Sequence, residues 1–168
     1  FDPCDRLLRV GIPCKIWGED VLCFYGVPTG VFDLFLLVSD PEEASKRLVD
    51  QGYIQTTHNK RFTHIPELSS QVPRLVSSAL ATKIVESSST PEADDMVLPG
   101  VVLLPATEWN YSLASSVADL HELIPSLHEY FDCMVKKWMD VPGNMDDLRR
   151  HLAVHIVYHS LYLDEVWT

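Results

Sequence analysis

One acidic residue, Asp33, interrupts the segment VFDLFLLV at residues 31–38, which is otherwise apolar. An isolated carboxylate is unexpected in a strand that is covered on both faces, because burying a charge without a partner costs free energy. Two interpretations are open. Asp33 is either a functional acid, or a structural residue whose carboxylate accepts hydrogen bonds from the backbone of a neighbouring turn, such as residues 26–30.

Two further acids, Glu19 and Asp20, directly follow Gly18 in the segment KIWGEDVLCFYG. At the start of a helix, acidic side chains are favoured by the positive end of the helix dipole, which is the simplest explanation for both. The alternative is that they share a cleft with Asp33. We therefore treat Asp33, Glu19 and Asp20 as the candidate catalytic residues.

Three histidines, His151, His155 and His159, recur at every fourth position near the end of the chain. On a helix this spacing places them along one face, and two histidines so spaced can bind one zinc ion. The Glu that follows the first His in the metalloprotease signature is replaced by Leu152. Packing into an interface is the alternative, so the sequence assigns no metal site and no cofactor, and the role of these histidines stays open.

The overall charge limits the class of partner. The 168 residues include 13 Lys and Arg against 24 Asp and Glu, a formal charge of -11. Affinity for nucleic acid comes largely from basic side chains that neutralise phosphates, so we expect neither a nucleic-acid partner nor an anionic membrane. The four cysteines show no Cys-x-x-Cys spacing, and no signal-like segment opens the sequence. We expect reduced thiols and a cytoplasmic protein.

The first part of the chain alternates predicted helices and strands, which indicates an α/β or α+β sheet domain. The expected elements are a helix within 2–13, a strand at 14–17, a helix at 19–26, a strand at 31–38, a helix at 39–52 and a strand at 53–57. Residues 61–87 are expected to form short strands or irregular backbone, residues 87–95 an exposed loop, and residues 101–104 a strand.

From about residue 116 the apolar period becomes helical. We expect one or two helices broken near Pro125, then a last helix capped by Asn144 and extending to about Leu163. That helix is apolar around most of its circumference, which predicts burial by the preceding helix or by a second copy in a homodimer. The chain is predicted to be a single domain, 1–168, with a sheet core at 1–110 and a helical portion at 111–168.

Residues 14–53 resemble the nucleotidyltransferase superfamily, the fold of polymerase beta and of the antibiotic adenylyltransferases. That family's signature is an apolar residue, Gly and then Gly or Ser, followed further along by two acids one position apart. Trp17-Gly18-Glu19 and Asp33-Leu34-Phe35 occupy the corresponding positions. The resemblance implies a mixed sheet flanked by helices, a triphosphate cleft with Gly18 and Thr29 as cofactor-binding positions, and Asp33 as a metal-binding acid.

The sequence departs from that signature at two of its positions. Phe35 replaces the second acid, and Glu19 places a negative charge where the family binds phosphate. We therefore expect a degenerate nucleotidyltransferase-like protein that is inactive in nucleotidyl transfer and serves as a binding or assembly module. The expected ligand of its cleft is a small molecule.

Two alternatives stay open for this cleft. One is an active transferase that uses magnesium and a non-standard acid, Glu19, Asp20 or Glu86, with Asp95 as a further weak candidate. The other is a small-molecule enzyme that uses Asp33, Glu19 and His64 in acid–base chemistry. A magnesium cofactor is expected only in the first alternative.

Overall fold

The computed structural model describes residues 2–56, 72–87, 99–114 and 120–166, and the structural statements below concern these residues. They contain a five-stranded sheet in the order β1-β2-β5-β4-β3. β2 and β5 pair in parallel, and the other neighbouring strands pair antiparallel. The strands are β1 Cys14–Trp17, β2 Leu34–Val38, β3 Tyr53–Thr56, β4 Arg74–Ser77 and β5 Val101–Pro105. The predicted α+β fold class is confirmed.

Six α-helices accompany the sheet in the described residues. They are α1 Asp2–Arg9, α2 Glu19–Phe24, α3 Pro41–Asp50, α4 Ser78–Ser87, α5 Leu127–Asp140 and α6 Asp146–Val166. Two short 3-10 helices lie at Ala106–Trp109 and Leu120–Leu123. Among these helices none is long and apolar enough to cross a lipid bilayer.

The starts of α3 and α5 follow from local capping chemistry. Asp40 caps α3 by accepting hydrogen bonds from the backbone N–H groups of Glu42 and Glu43 at 3.0 and 3.1 Å. Ser126 and Glu129 form a reciprocal capping box at the start of α5, immediately after Pro125. The expected break near Pro125 is therefore confirmed.

Three expectations about the elements are wrong. The last helix begins at Asp146 with Met145, not Asn144, at the N-cap position, because the Met145 carbonyl accepts the first helical hydrogen bond, from the Arg149 N–H at 3.1 Å. β2 begins at Leu34, not at residue 31, and Asp33 lies immediately before it. Val31 and Phe32 are exposed despite their apolar character, because they belong to the loop that leads into the strand. Residues 78–87, expected to be strand or irregular, form α4. The good helix formers in SALATKIVES outweigh its β-branched residues.

An aromatic cluster connects the sheet to the helical portion. The Trp17 ring, at the end of β1, packs edge-on against Trp109 and Tyr111 and tilted against Tyr130 of α5, with ring centroids 4.7 to 5.9 Å apart. Trp17 and Tyr130 are completely or almost completely buried. Because α6 packs along α5, this cluster places α6 beside α2 and the end of β1.

Candidate functional site

Asp33 lies in a buried ion pair with Arg74 of β4. The guanidinium binds the carboxylate in a two-point arrangement, with Nε 3.0 Å from Oδ2 and Nη2 2.8 Å from Oδ1. The side chains of Asp33 and Arg74 are only 2% and 6% exposed. Charge-assisted pairs with this planar geometry are among the stronger hydrogen bonds in proteins. The carboxylate that most suggested chemistry is thus fully engaged inside the protein.

Gly100 completes the coordination of this carboxylate. Its backbone N–H donates to Asp33 Oδ1 at 2.8 Å, and its carbonyl accepts from the N–H of Leu34 at 2.8 Å. A Cβ at position 100 would lie 2.8 Å from both Arg74 Cζ and the Leu75 carbonyl oxygen. Glycine is required there because only a residue without a side chain allows this close approach.

The same network reaches the sheet edge at Thr56. Arg74 Nη1 donates to the Thr56 hydroxyl at 3.3 Å, and that hydroxyl donates to the Arg74 carbonyl oxygen at 3.2 Å. Residues on or beside β2, β3, β4 and β5 are therefore joined by one set of polar contacts. The sequence suggested the loop at residues 26–30 as the partner of Asp33, and the structure places Arg74 and Gly100 there instead.

The backbone conformation at position 18 and the nearby Phe35 ring both favour glycine there. Its φ is +69°, a conformation that favours glycine, and a Cβ at this position would lie 3.1 Å from the Phe35 ring. The ring of Phe35 thus packs over Gly18. Gly18 lines a small cavity of about 20 Å³ next to Trp17 and Phe35. Local packing explains this glycine without a bound phosphate.

A larger cleft of about 360 Å³, which shares Glu19, His151 and His155 with that cavity, lies between α6 and the loop that precedes β2. Glu19 and Thr29, two of the residues singled out in the sequence, line it, whereas Asp33 and Asp20 do not. Its other lining residues are mostly apolar or come from α6: Leu22, Val27, Pro28, Gly30, Phe32, His151, Val154, His155 and Tyr158. The structure therefore divides the candidate residues between a buried structural network and an open cleft.

Glu19 and two of the three periodic histidines meet at the wall of this cleft. The Glu19 Oε1 atom lies 3.7 Å from His155 Nε2, and the rings of His151 and His155 have centroids 4.5 Å apart. One potential ligand atom from each of the three residues lies within 4.8 Å of the other two. Sequence reasoning found the histidine pair through its helical spacing, but no local signal joined it to Glu19.

The electrostatic environment of Glu19 favours its ionised form. Burial alone would raise the pKa of Glu19, but the hydrogen bond and charge of His155, with a smaller contribution from His151, lower it below its usual range. Glu19 is thus a carboxylate that faces two imidazoles. This combination can bind a cation or hold a proton between the two groups.

Asp20 has the opposite environment. Burial, followed by repulsion from Glu19, raises the pKa of Asp20 from 3.8 to about 6. Its Oδ2 atom is buried and has no hydrogen-bond partner among the described residues. Asp20 therefore costs the folded chain free energy when it is ionised.

The remaining candidate acids and the other histidines of the chain lie elsewhere or outside the described residues. His128 is 88% exposed and lies 3.7 Å from Asp132, away from the cleft. The side chains of Glu86, His121 and His159, and the whole of His58, His64 and Asp95, lie outside the described residues.

No protein-family model matches this chain, and no curated protein or solved structure is significantly similar to it. The resemblance to nucleotidyltransferases therefore stays a prediction from the sequence.

The buried pair predicts a strong, non-additive effect of mutation. Asp33→Ala and Arg74→Ala should each lower the free energy of unfolding by about 3 to 5 kcal/mol, because each leaves the other charge buried without its partner. The double variant should lose clearly less than the sum of the two. Urea denaturation measures all three. Arg47→Ala, which breaks the exposed pair with Glu43, is the control and should cost less than about 1 kcal/mol. Additive losses would contradict the pairing.

The raised pKa of Asp20 predicts that Asp20→Asn increases the free energy of unfolding by an amount that depends on pH. Since the folded pKa lies above the unfolded one, ionisation opposes folding, and the penalty is absent below pH 4 and complete above about pH 7. At pH 4 the variant and the wild type should have about the same free energy of unfolding. At pH 7.5 that of the variant should be higher by on the order of 1 kcal/mol. This is less than the full pKa shift implies, because solvent screens the carboxylate.

The measurement is thermal and urea unfolding across this pH range, with EDTA present to keep divalent ions off the neighbouring histidines. Asp50→Asn, at an exposed position of α3, controls for the loss of one negative charge. A gain for Asp20→Asn that is as large at pH 4 as at pH 7.5 would contradict the assignment.

Proposed function

We propose that this chain is a binding and assembly module with a nucleotidyltransferase-like fold, and that it does not transfer nucleotidyl groups. The observation that carries the proposal is the environment of Asp33. The carboxylate that would have to hold magnesium accepts two hydrogen bonds from Arg74 and one from Gly100, and its side chain is 2% exposed. A divalent ion would have to displace a buried guanidinium to reach it.

The two substituted signature positions support the same proposal. Phe35 presents an aromatic ring against Gly18 in place of a second carboxylate, so no alternating pair of acids faces a common metal. Glu19 contributes an ionised carboxylate to the cleft, close to the position where a triphosphate would be bound. Like charges repel strongly in a partly desolvated site.

The lining of the cleft supports a small ligand with an apolar body and one polar group. Leu22, Val27, Phe32 and Val154 supply apolar surface, and Glu19, His151 and His155 supply a group of polar atoms that lie close together. Pockets of this size with few convergent polar groups are typical of small-molecule sites. The acidic composition argues against a nucleic-acid ligand, and the cysteine spacing supports our proposal of a cytoplasmic location.

Calorimetry with magnesium and ATP tests the proposal directly. The wild-type chain should give no heat of binding at millimolar nucleotide, and an assay with labelled ATP should show no transfer. Heat that disappears in Asp33→Asn but persists in Asp50→Asn would establish the transferase alternative and refute the proposal. The Asp50 variant removes the same charge from an exposed helix position.

We also propose that assembly uses the outer face of α6 in a homodimer. Val157 and Leu161 are 53% and 62% exposed there and lie one helical turn apart on the same side of α6. Exposed apolar side chains that share one helix face are typical of a surface that another chain covers.

Light scattering coupled to size-exclusion chromatography measures this assembly. The wild type should have twice the chain mass of 19.0 kDa. Val157→Glu should shift it to the monomer, because a buried carboxylate without a partner disfavours the interface. Val49→Glu, at an equally apolar exposed position on α3, should stay dimeric. A monomeric wild type at the concentrations used for calorimetry would contradict the dimer.

A further inference from the structure

We propose that Glu19, His151 and His155 form a site for a first-row divalent metal ion, with zinc as the ion that the donors fit best. The three residues come from the start of α2 and from successive turns of α6. Their ligand atoms lie within 4.8 Å of one another. This inference deepens the proposed function and rests on its cleft, because the ion would supply the polar anchor for a small molecule bound there.

The distances suit a tetrahedral ion after small side-chain movements. Zinc bonds of 2.0 to 2.1 Å in tetrahedral geometry place neighbouring donor atoms about 3.3 Å apart. The Glu19 Oε1 and His155 Nε2 atoms are 3.7 Å apart. The imidazoles of His151 and His155 lie one helical turn apart, with ring centroids separated by 4.5 Å and planes tilted by 51°, so both can approach a common point. Binding an ion would require side-chain rotations that bring the three ligand atoms, now within 4.8 Å of one another, to about 3.3 Å.

The donor types select among metals. Two imidazoles and one carboxylate form a set that zinc uses in sites with three protein ligands. Magnesium and calcium prefer sites made of oxygen atoms alone, and the imidazole nitrogens therefore disfavour them. The set also differs from paired carboxylates on a strand, so this site is independent of the magnesium chemistry that the sequence resemblance implied.

A buried tyrosine orients His155 for this role. The Tyr130 hydroxyl donates to the Gly18 carbonyl oxygen at 3.3 Å, and its lone pair faces Nδ1 of His155 at 3.3 Å. With its proton directed to Gly18, Tyr130 accepts from Nδ1–H, so Nε2, the atom that faces Glu19, is the nitrogen left for the ion, which would displace the proton that Nε2 shares with Glu19. Metal-binding histidines commonly have their second nitrogen fixed in this way. Tyr130 is thus a positioning residue.

The cleft leaves room for a fourth ligand. Glu19, His151 and His155 all line the cleft of about 360 Å³, so an ion held by them would face open volume. Three protein donors with one open position are typical of zinc sites that bind water or substrate, whereas purely structural sites have four protein ligands. The ligand class that fits is a small molecule with an anionic or neutral donor group and an apolar body.

Titration of metal-free protein without an affinity tag, using zinc chloride and calorimetry, tests the site. We expect one zinc per chain, and affinity about tenfold or more weaker in Glu19→Gln and in His155→Ala. Tyr130→Phe keeps the ring and should also weaken zinc binding. His128→Ala, an exposed histidine on α5, is the matched control and should bind as the wild type does. Equal affinity in Glu19→Gln and wild type would overturn the proposal.

A second readout separates loss of the site from loss of the fold. Cobalt substituted for zinc should give the visible absorption bands of a four-coordinate ion, and these bands should change in Glu19→Gln while its far-ultraviolet circular dichroism in EDTA stays that of the wild type. Six-coordinate, weakly absorbing cobalt would overturn the proposal.

Both measurements are made without nucleotide. A chain that binds zinc and also magnesium–ATP would contradict only the proposed function, and a chain that binds neither would contradict only this inference.

Discussion

The contact between Asp33 and Arg74 is the constraint on which the sheet and its neighbouring cleft depend. Both charges are almost fully removed from water, so neither is tolerable without the other. Arg74 belongs to β4, Asp33 immediately precedes β2, and Gly100 immediately precedes β5, which lies between those two strands. The ion pair therefore fixes how these strands are aligned at one end. A slip of one residue in either strand pair would separate the charges inside the protein.

The contact between Asp33 and Arg74 also explains why this end of the sheet is packed while a cleft lies next to it. With Asp33 directed inward, the loop at residues 27–32 passes over the outside and forms one wall of the cleft, and α6 forms the other. The aromatic cluster around Trp17 holds α5, and through it α6, at that position. Glu19 then faces His151 and His155 because β1 ends beside α6. The polar centre of the cleft is a product of tertiary packing between segments far apart in the chain.

The sequence predicted the local structure better than the partners of its charged residues. Asp40 and Pro41 mark the start of α3, and Pro125 marks the break before α5, so both helices could be located in advance. The partner of Asp33 could not, because an ion pair across strands leaves no local pattern. A lone Arg74 before the apolar residues Leu75 and Val76 was the available signal, since two opposite charges in apolar strands favour one another. The convergence of Glu19 with the α6 histidines left no signal of this kind.

α6 has two faces with different surroundings, and this has a mechanical consequence. Its inner side carries His151 and His155 against α2, and its outer side carries Val157 and Leu161 toward solvent. A rigid rod cannot tilt on one side without tilting on the other. An ion or ligand that moves the inner side of α6 toward Glu19 would therefore also change the orientation of its outer side. By thermodynamic linkage, a chain bound to the outer side would in turn alter the affinity of the inner side for that ion or ligand.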